Sequence, residues 1–239
     1  MAATYEGFTF SGHNTSSDTY LLSASQNRWM VIFACNEAIG AGVTYPTGCT
    51  FDGNAATQVG SGIISPDDQI KSAASTWVYE VPTAMSGTKT IAITGGSGRP
   101  QFYAIEISGC GGYGDYTTTT GNDAYLELTD VLATSICLDS LVNDGVFQPS
   151  IVETTTQINA GSHNDGDNRY DLGWGTGREA GTGTVAMGWN TTTSTRTYVM
   201  IEMLTSAAVP SSMVYPRGEG RISHYVSALY NQDTEVIEV

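Results

Sequence analysis

Ser75-Thr-Trp-Val-Tyr-Glu-Val-Pro-Thr-Ala-Met-Ser-Gly-Thr-Lys-Thr-Ile-Ala-Ile-Thr94 is the stretch of sequence that decides the fold class. It contains two runs of aromatic and β-branched residues, 75–81 and 88–94, with Pro82 and Gly87 between them. A third run of the same kind, Phe102-Tyr-Ala-Ile-Glu-Ile-Ser108, follows closely. Such residues favour strands, and Gly and Pro mark the turns between them. The pattern predicts three consecutive antiparallel strands, with a hairpin turn at residues 86–90.

The composition extends this prediction to the whole chain of 239 residues. It has 28 Gly and 13 Tyr but only nine Lys plus Arg, which is poor in helix formers and suited to many strands and tight turns. All-β domains of this length are common, so one large domain is expected. Period-2 runs predict strands near 4–10, 19–25, 28–35, 43–50, 55–60, 72–81, 88–94, 101–108, 124–130, 134–142, 150–157, 169–175, 181–189 and 195–204.

The order of these elements resembles that of jelly-roll, concanavalin-like β-sandwich domains found in tailed-bacteriophage virion proteins and bacterial surface proteins. The resemblance rests on the aromatic strand, the turn with Pro82 and Ser-Gly-Thr, the Thr/Ile strand and the Ala-Ile-Glu-Ile-Ser-Gly strand. It implies a virion protein made in the host cytoplasm: a capsid decoration (cement) protein that binds the outside of the shell. The implied partners are the major capsid protein and two further copies of the chain in a homotrimer. The alternative is a carbohydrate-binding module of a tail fibre or adhesin.

The expected division is a jelly-roll β-sandwich over residues 1–206 and an extended arm over 207–239. Residues 109–121, rich in Gly and Thr, are interpreted as a crossover loop. The run 134–142 is interpreted as a core strand that returns to pair with the earlier strands. A split into two domains near residue 115 is the alternative. The runs 102–108 and 198–204 each place a Glu in a hydrophobic strand, but the remaining sequence does not support a duplication.

The arm carries apolar side chains that would be costly to expose in a free tail. We therefore expect it to pack on a neighbouring subunit or on the shell. The candidate partner-binding residues are Met213, Val214, Tyr215, Val226, Leu229 and Tyr230.

The formal charge of −15 argues against nucleic-acid binding, because phosphate contacts need clustered Lys and Arg. Anionic membrane surfaces are disfavoured for the same reason. The longest apolar run, Trp29–Cys35, is too short to span a bilayer, and the residues after Met1 lack the pattern of a secretory signal. The four cysteines show no metal-binding spacing, so free buried thiols are expected.

The sequence predicts no catalysis, no cofactor and no metal. Glycosidases on similar folds place two carboxylates side by side, whereas Glu80, Glu106 and Glu202 each stand alone in a strand. The acidic run 163–171 offers oxygen ligands to Ca²⁺, but a solvated turn is the simpler interpretation.

Aromatic side chains could stack on sugar rings if the protein binds carbohydrate. Trp29 and Trp77 lie in apolar strands and are expected in the core. The candidate ligand contacts are Trp174, flanked by Gly, and the loop residues Tyr113 and Tyr116.

Overall fold

The computed structural model describes residues 3–12, 14–39, 42–65, 70–121, 125–144, 150–151, 157–164, 168–175, 183–190 and 195–206. These residues contain strands and turns but no helix, so the all-β prediction is confirmed. The strands are β1 Thr4–Phe10, β2 Ser17–Leu21, β3 Arg28–Ile39, β4 Gly48–Phe51, β5 Asn54–Ala55, β6 Thr57–Ile64, β7 Ile70–Val81, β8 Thr88–Thr94, β9 Arg99–Ser108, β10 Cys110–Thr120, β11 Tyr125–Leu128, β12 Ile136–Asp144, β13 Ser150–Ile151, β14 Gln157–Asn164, β15 Asn168–Gly175, β16 Val185–Asn190 and β17 Thr195–Thr205.

Strands β1–β9 form two sheets, which we call the N-terminal unit (residues 3–108). One sheet has the order β1-β9-β3-β7-β6 and the other the order β2-β8-β4-β5. Most connections cross from one sheet to the other, whereas β6 and β7 are consecutive neighbours in the larger sheet and β4 and β5 in the smaller one. The two sheets bury Met30, Ile32, Phe51 and Ile91 between them.

Strands β10–β17 repeat this arrangement in a C-terminal unit (residues 110–205). Its sheets have the orders β10-β17-β12-β15-β14 and β11-β16-β13. When β10 is matched to β1 and β17 to β9, the two five-stranded sheets have the same strand order. The smaller sheets also agree, apart from the two-residue strand β5. The described part of the chain is therefore a tandem of two sandwiches with one topology.

The two five-stranded sheets pack face to face and form a central hydrophobic layer. In β3 and β9 the odd-numbered residues face this layer, while the even-numbered ones face the interior of the N-terminal unit. This follows from the two-residue period of a strand. The central layer contains Trp29, Val31, Phe33, Tyr103, Ile105 and Ile107 from one unit and Ile136, Leu138, Val142, Val199, Ile201 and Met203 from the other. A sheet buried on both faces explains why β9 lacks a polar alternation.

Three expectations about pairing are wrong. The runs 75–81, 88–94 and 102–108 are strands, but β7 pairs with β3 and β6, and β8 pairs with β2 and β4. The turn at residues 82–87 therefore crosses between sheets and does not close a hairpin. Residues 110–120 form β10, which pairs with β17.

The strand β12 also differs from the expectation, because it pairs with β15 and β17 and not with the earlier strands. The reason is common to all three cases: alternating polarity identifies a strand and its faces but not its partner. The arm at 207–239 lies outside the described residues. Among the described residues, no helix has the length and apolar character needed to cross a membrane.

Candidate functional site

A buried carboxylate in β9 holds the loop between β2 and β3. Glu106 has no exposed surface. Its Oε2 accepts a hydrogen bond from the Ser23 backbone amide and its Oε1 accepts one from the Ser23 hydroxyl, both at 3.0 Å. Just before Ser23, the Leu22 amide donates to the Gly87 carbonyl at 3.3 Å. We call Leu22, Ser23, Gly87 and Glu106 the Glu106 cluster.

A second buried carboxylate, in β17, holds the corresponding loop between β11 and β12. Glu202 is 5% exposed, and its Oε1 accepts a hydrogen bond from the Leu132 amide at 3.0 Å. Just before Leu132, the Val131 amide donates to the Gly183 carbonyl at 2.9 Å. We call Val131, Leu132, Gly183 and Glu202 the Glu202 cluster.

The two clusters are equivalent, residue for residue. Gly183 follows Gly87 by 96 positions, and Glu202 follows Glu106 by the same interval. Both glycines have positive φ, 80° for Gly87 and 67° for Gly183, a conformation that side chains disfavour. In each cluster a buried aliphatic residue precedes the amide that donates to the carboxylate. The repeated topology thus extends to individual hydrogen bonds.

The strand beside each carboxylate is also distorted in both units. The pairing of β1 with β9 shifts between Tyr5 and Gly7, and that of β10 with β17 shifts between Tyr113 and Tyr116. A side chain at Gly114 would clash with Glu202 Oε2. The bulge in β10 thus leaves room for the Glu202 carboxylate, and bulges of this kind commonly re-aim side chains at special sites.

The electrostatic surroundings of the two carboxylates differ. Arg28, 3% exposed, places Nη1 3.8 Å from Glu106 Oε1. The guanidinium donates to the Ser23 and Met85 carbonyls at 2.5 Å each. At the position of Arg28 the C-terminal unit has Ser135, which carries no charge. Burial raises the pKa of Glu202 above its ordinary value of 4.5, while hydrogen bonds from backbone amides oppose that shift.

These carboxylates do not form a catalytic pair. Glu106 points into the N-terminal unit and Glu202 into the C-terminal unit, so both point away from the central layer. Because packed sheets lie about 10 Å apart, the two carboxyl groups are separated by more than about 10 Å. Glycoside hydrolysis by two carboxylates needs a separation of about 5–9.5 Å. Glu80 is exposed on β7. What Glu106 and Glu202 do instead is fix two loops.

Those two loops lie at one end of the molecule, where the units join. The Cys110 amide donates to the Asn27 carbonyl at 3.0 Å, and the Ala3 amide donates to the Thr134 carbonyl at 3.4 Å. The Ser206 amide bonds to the Gly109 carbonyl at 2.9 Å at the same end. We call this end, defined by Ala3, Asn27, Cys110, Thr134 and Ser206, the junction end. Ser206, the last described residue, therefore lies at the junction end.

Two of the predicted ligand-contact aromatics, Tyr113 and Tyr116, do not lie in a loop. Tyr113 and Tyr116 lie in β10, are only partly exposed, and pack against the central layer. Tyr113 contacts Trp29 edge-on with ring centroids 6.3 Å apart, and the Tyr116 hydroxyl lies 3.3 Å from Thr76 Oγ1. Burial raises the pKa of Tyr116 to about 12. They therefore join the two units, and the interpretation as loop aromatics is corrected.

Several other predicted residues fall outside what the structure describes. The backbone of Trp174 lies in β15, paired with Leu138, but its side chain is not among the described ones. The same holds for the side chains of the acidic run 163–171. The six candidate arm residues Met213, Val214, Tyr215, Val226, Leu229 and Tyr230 lie outside the described residues entirely. Trp29 and Trp77 are buried, as expected.

The remaining chemistry-bearing groups are cysteines. Cys35, Cys49, Cys110 and Cys137 are all buried, and none of them forms a disulfide bond. Burial raises the pKa of Cys49 and of Cys110 to about 12, far from the range of a reactive thiolate. Within the described ranges, no group of three or more His, Cys, Asp and Glu is placed to hold a metal ion.

Comparisons with family models, curated proteins and solved structures gave no match to this chain.

Sequence reasoning noticed the two glutamates but missed the clusters around them. A signal was present: Ser86-Gly87-Thr88 and Thr182-Gly183-Thr184 each open a strand, and each Gly precedes its Glu by 19 positions. The loop amides that complete the clusters could not be found from the sequence, because every residue except proline has a backbone N–H and the hydrogen bond does not require a particular residue type.

Proposed function

We propose that the chain is a structural protein of a tailed-bacteriophage virion, of the capsid decoration (cement) type, which binds the outside of the shell through its junction end. The observation that carries the proposal is the pair of carboxylate clusters. In each cluster a buried carboxylate accepts a hydrogen bond from a loop amide, so the junction end, where Ser206 lies, is preorganised. Preorganised surfaces lose less entropy on binding.

The position of Ser206 supports the same orientation. Ser206, which directly precedes residues 207–239, donates its backbone amide to the Gly109 carbonyl at 2.9 Å at the junction end. In this proposal an arm that begins at the junction end can reach a neighbouring subunit or the shell, while the two sandwiches project outward from the shell surface. Apolar burial contributes roughly 25 cal/mol per Å², so an arm that buries several of its apolar residues adds substantially to binding.

The charge of −15 supports binding to a protein surface and opposes binding to the packaged nucleic acid. A strongly acidic chain is steered toward basic patches and kept apart from its own copies until a specific contact forms. In this proposal the chain has no catalytic role and needs no cofactor, and the carboxylates are structural.

One observation favours the alternative, a carbohydrate-binding module of a tail fibre or adhesin. At the end opposite the junction, residues 94–98 are exposed, carry no charge, and are tied to residues 42–47 by backbone bonds between Thr44 and Ser97 at 3.2 and 3.4 Å. Short polar loops rich in Gly, Ser and Thr supply adaptable hydrogen bonding to neutral ligands.

The decisive experiment measures binding of the purified full chain to undecorated capsids by co-sedimentation, with a glycan array in parallel. The proposal predicts saturable capsid binding and copy numbers in the hundreds per particle. Deleting residues 207–239 should leave a sandwich that melts cooperatively by circular dichroism but should abolish capsid binding. Glycan binding without capsid binding would support the alternative, and a deletion variant that fails to fold would place the segment in the sandwich core.

A further inference from the structure

The two units are related by an approximate two-fold axis. Edge strand β1 of the N-terminal unit contacts β14, and edge strand β6 contacts β10. Because β1 is equivalent to β10 and β6 to β14, each contact is the counterpart of the other. The same face of both five-stranded sheets supplies the central layer. This reciprocal arrangement is the geometry of an isologous dimer, here within one chain.

The axis passes through the junction end. The hydrogen bond from the Cys110 amide to the Asn27 carbonyl joins the first strand of the C-terminal unit to the loop before β3. Its counterpart, from the Ala3 amide to the Thr134 carbonyl, joins the first strand of the N-terminal unit to the loop before β12. The loops 22–27 and 131–135 thus lie on either side of the axis at the same end.

The two loops share the properties of a contact surface. Neither 22–27 nor 131–135 contains a charged residue, although the chain has 24 Asp and Glu. Depletion of charge is typical of the centre of protein interfaces. Each loop is held by its own carboxylate cluster, and each exposes an alanine directly after the held residue: Ala24 after Ser23 and Ala133 after Leu132.

We propose that one chain binds two copies of the same partner protein through these two loops, so that it bridges partner subunits related by a local two-fold axis. The inference rests on the proposed function, in which the partner is the major capsid protein. An isologous surface presents each feature twice, so a partner site that accepts loop 22–27 finds a second, equivalent loop at 131–135. The expected stoichiometry is one chain for every two coat-protein copies. A homotrimer on a three-fold position would give a different ratio.

The test uses three single variants of the full chain and one double variant. Ala24→Arg and Ala133→Arg place the same bulky charge on the two loops, and Ser16→Arg, at the other end of β2, is the matched control. Binding to undecorated capsids is measured by co-sedimentation, the saturating ratio by quantitative gel densitometry, and the position on the shell by cryo-electron microscopy. Circular dichroism checks that each variant is folded.

We expect a saturating ratio of one to two, a comparable loss of affinity of about tenfold for each loop variant, and a loss of about a hundredfold for the double variant, since distant contacts contribute additively. Ser16→Arg should bind as the unchanged chain does. Binding at another ratio, on a three-fold position, or with sensitivity to only one loop would overturn the inference and leave the proposed function standing. An unchanged chain that binds no capsid would overturn both.

Discussion

The two units use the same backbone geometry around different charge chemistry. In both units a carboxylate on a strand accepts a hydrogen bond from a loop amide, and a glycine of positive φ lies beside that loop. In the N-terminal unit a buried guanidinium lies beside the carboxylate, and in the C-terminal unit an uncharged serine occupies that position. What the fold requires at this point is therefore a buried acceptor for a loop amide. How its charge is balanced differs between the units.

In the cores of the two units it is the C-terminal unit that carries the additional charged group. At equivalent positions the N-terminal unit has the apolar pair Ile32 and Phe102, and the C-terminal unit has Asp139 and Tyr198. Asp139 Oδ2 accepts hydrogen bonds from Trp189 Nε1 at 2.7 Å and from the Tyr198 hydroxyl at 2.5 Å. The N-terminal unit thus has the Arg28–Glu106 ion pair at the junction end and apolar residues at these core positions. The C-terminal unit has the buried carboxylate of Asp139 in its core.

The largest effect should come from neutralising the two cluster carboxylates. Glu106→Gln leaves the buried Arg28 without its counter-charge, and breaking a buried ion pair in this way costs about 3–5 kcal/mol. Glu202→Gln removes a carboxylate that has no guanidinium beside it and should cost about 1–3 kcal/mol, the penalty for a disturbed buried hydrogen bond. Urea unfolding of both variants measures the difference. Equal losses would show that Arg28 does not distinguish the clusters.

The next effect concerns the core carboxylate. Asp139→Ala leaves the Trp189 and Tyr198 donors without their acceptor inside the core, and we expect a loss of about 3 kcal/mol in the free energy of unfolding. Tyr198→Phe, which introduces the residue found at the equivalent position 102, should cost only about 1 kcal/mol because Trp189 still donates to Asp139. If Tyr198→Phe proved as costly as Asp139→Ala, the hydroxyl and not the carboxylate would hold the core together.

Much of the secondary structure followed from the sequence, because the strands alternate or bury aromatic and β-branched residues. The predicted strand 88–94 coincides with β8, and 101–108 nearly coincides with β9. The strand β10 was missed because its Gly and Thr residues resemble a linker, and its pairing with β17 is a long-range contact. The duplication was missed for a related reason: the units share topology and a few backbone contacts, and those contacts constrain very few side chains.

The pH dependence of stability should also separate the clusters. The pKa of Glu202 is higher in the folded state than its ordinary value of 4.5. At pH values just above 4.5 the folded state therefore holds more protons than the unfolded state does. The contribution of Glu202 is therefore fully present below pH 4.5 and is lost as pH rises through the higher folded pKa. Urea unfolding between pH 4 and 8 should show a shallower decline in Glu202→Gln than in the unchanged chain. An identical slope in both would contradict a raised pKa.

The smallest expected effect is on the cysteines, and it tests whether the two units unfold together. Burial raises the pKa of Cys49 to about 12 and holds that of Cys137 well above its ordinary value of 9.0. Neither thiol should react with iodoacetamide at pH 8 in the native protein, and reductant should leave the melting temperature unchanged because none of the four cysteines forms a disulfide bond. Since opening one unit alone would expose the apolar face of the central layer, we expect Cys49 and Cys137 to become alkylated at the same urea concentration, as followed by peptide mass spectrometry. Alkylation of one while the other stays protected would show that the units open separately, and the order would identify which charge arrangement gives the more stable sandwich.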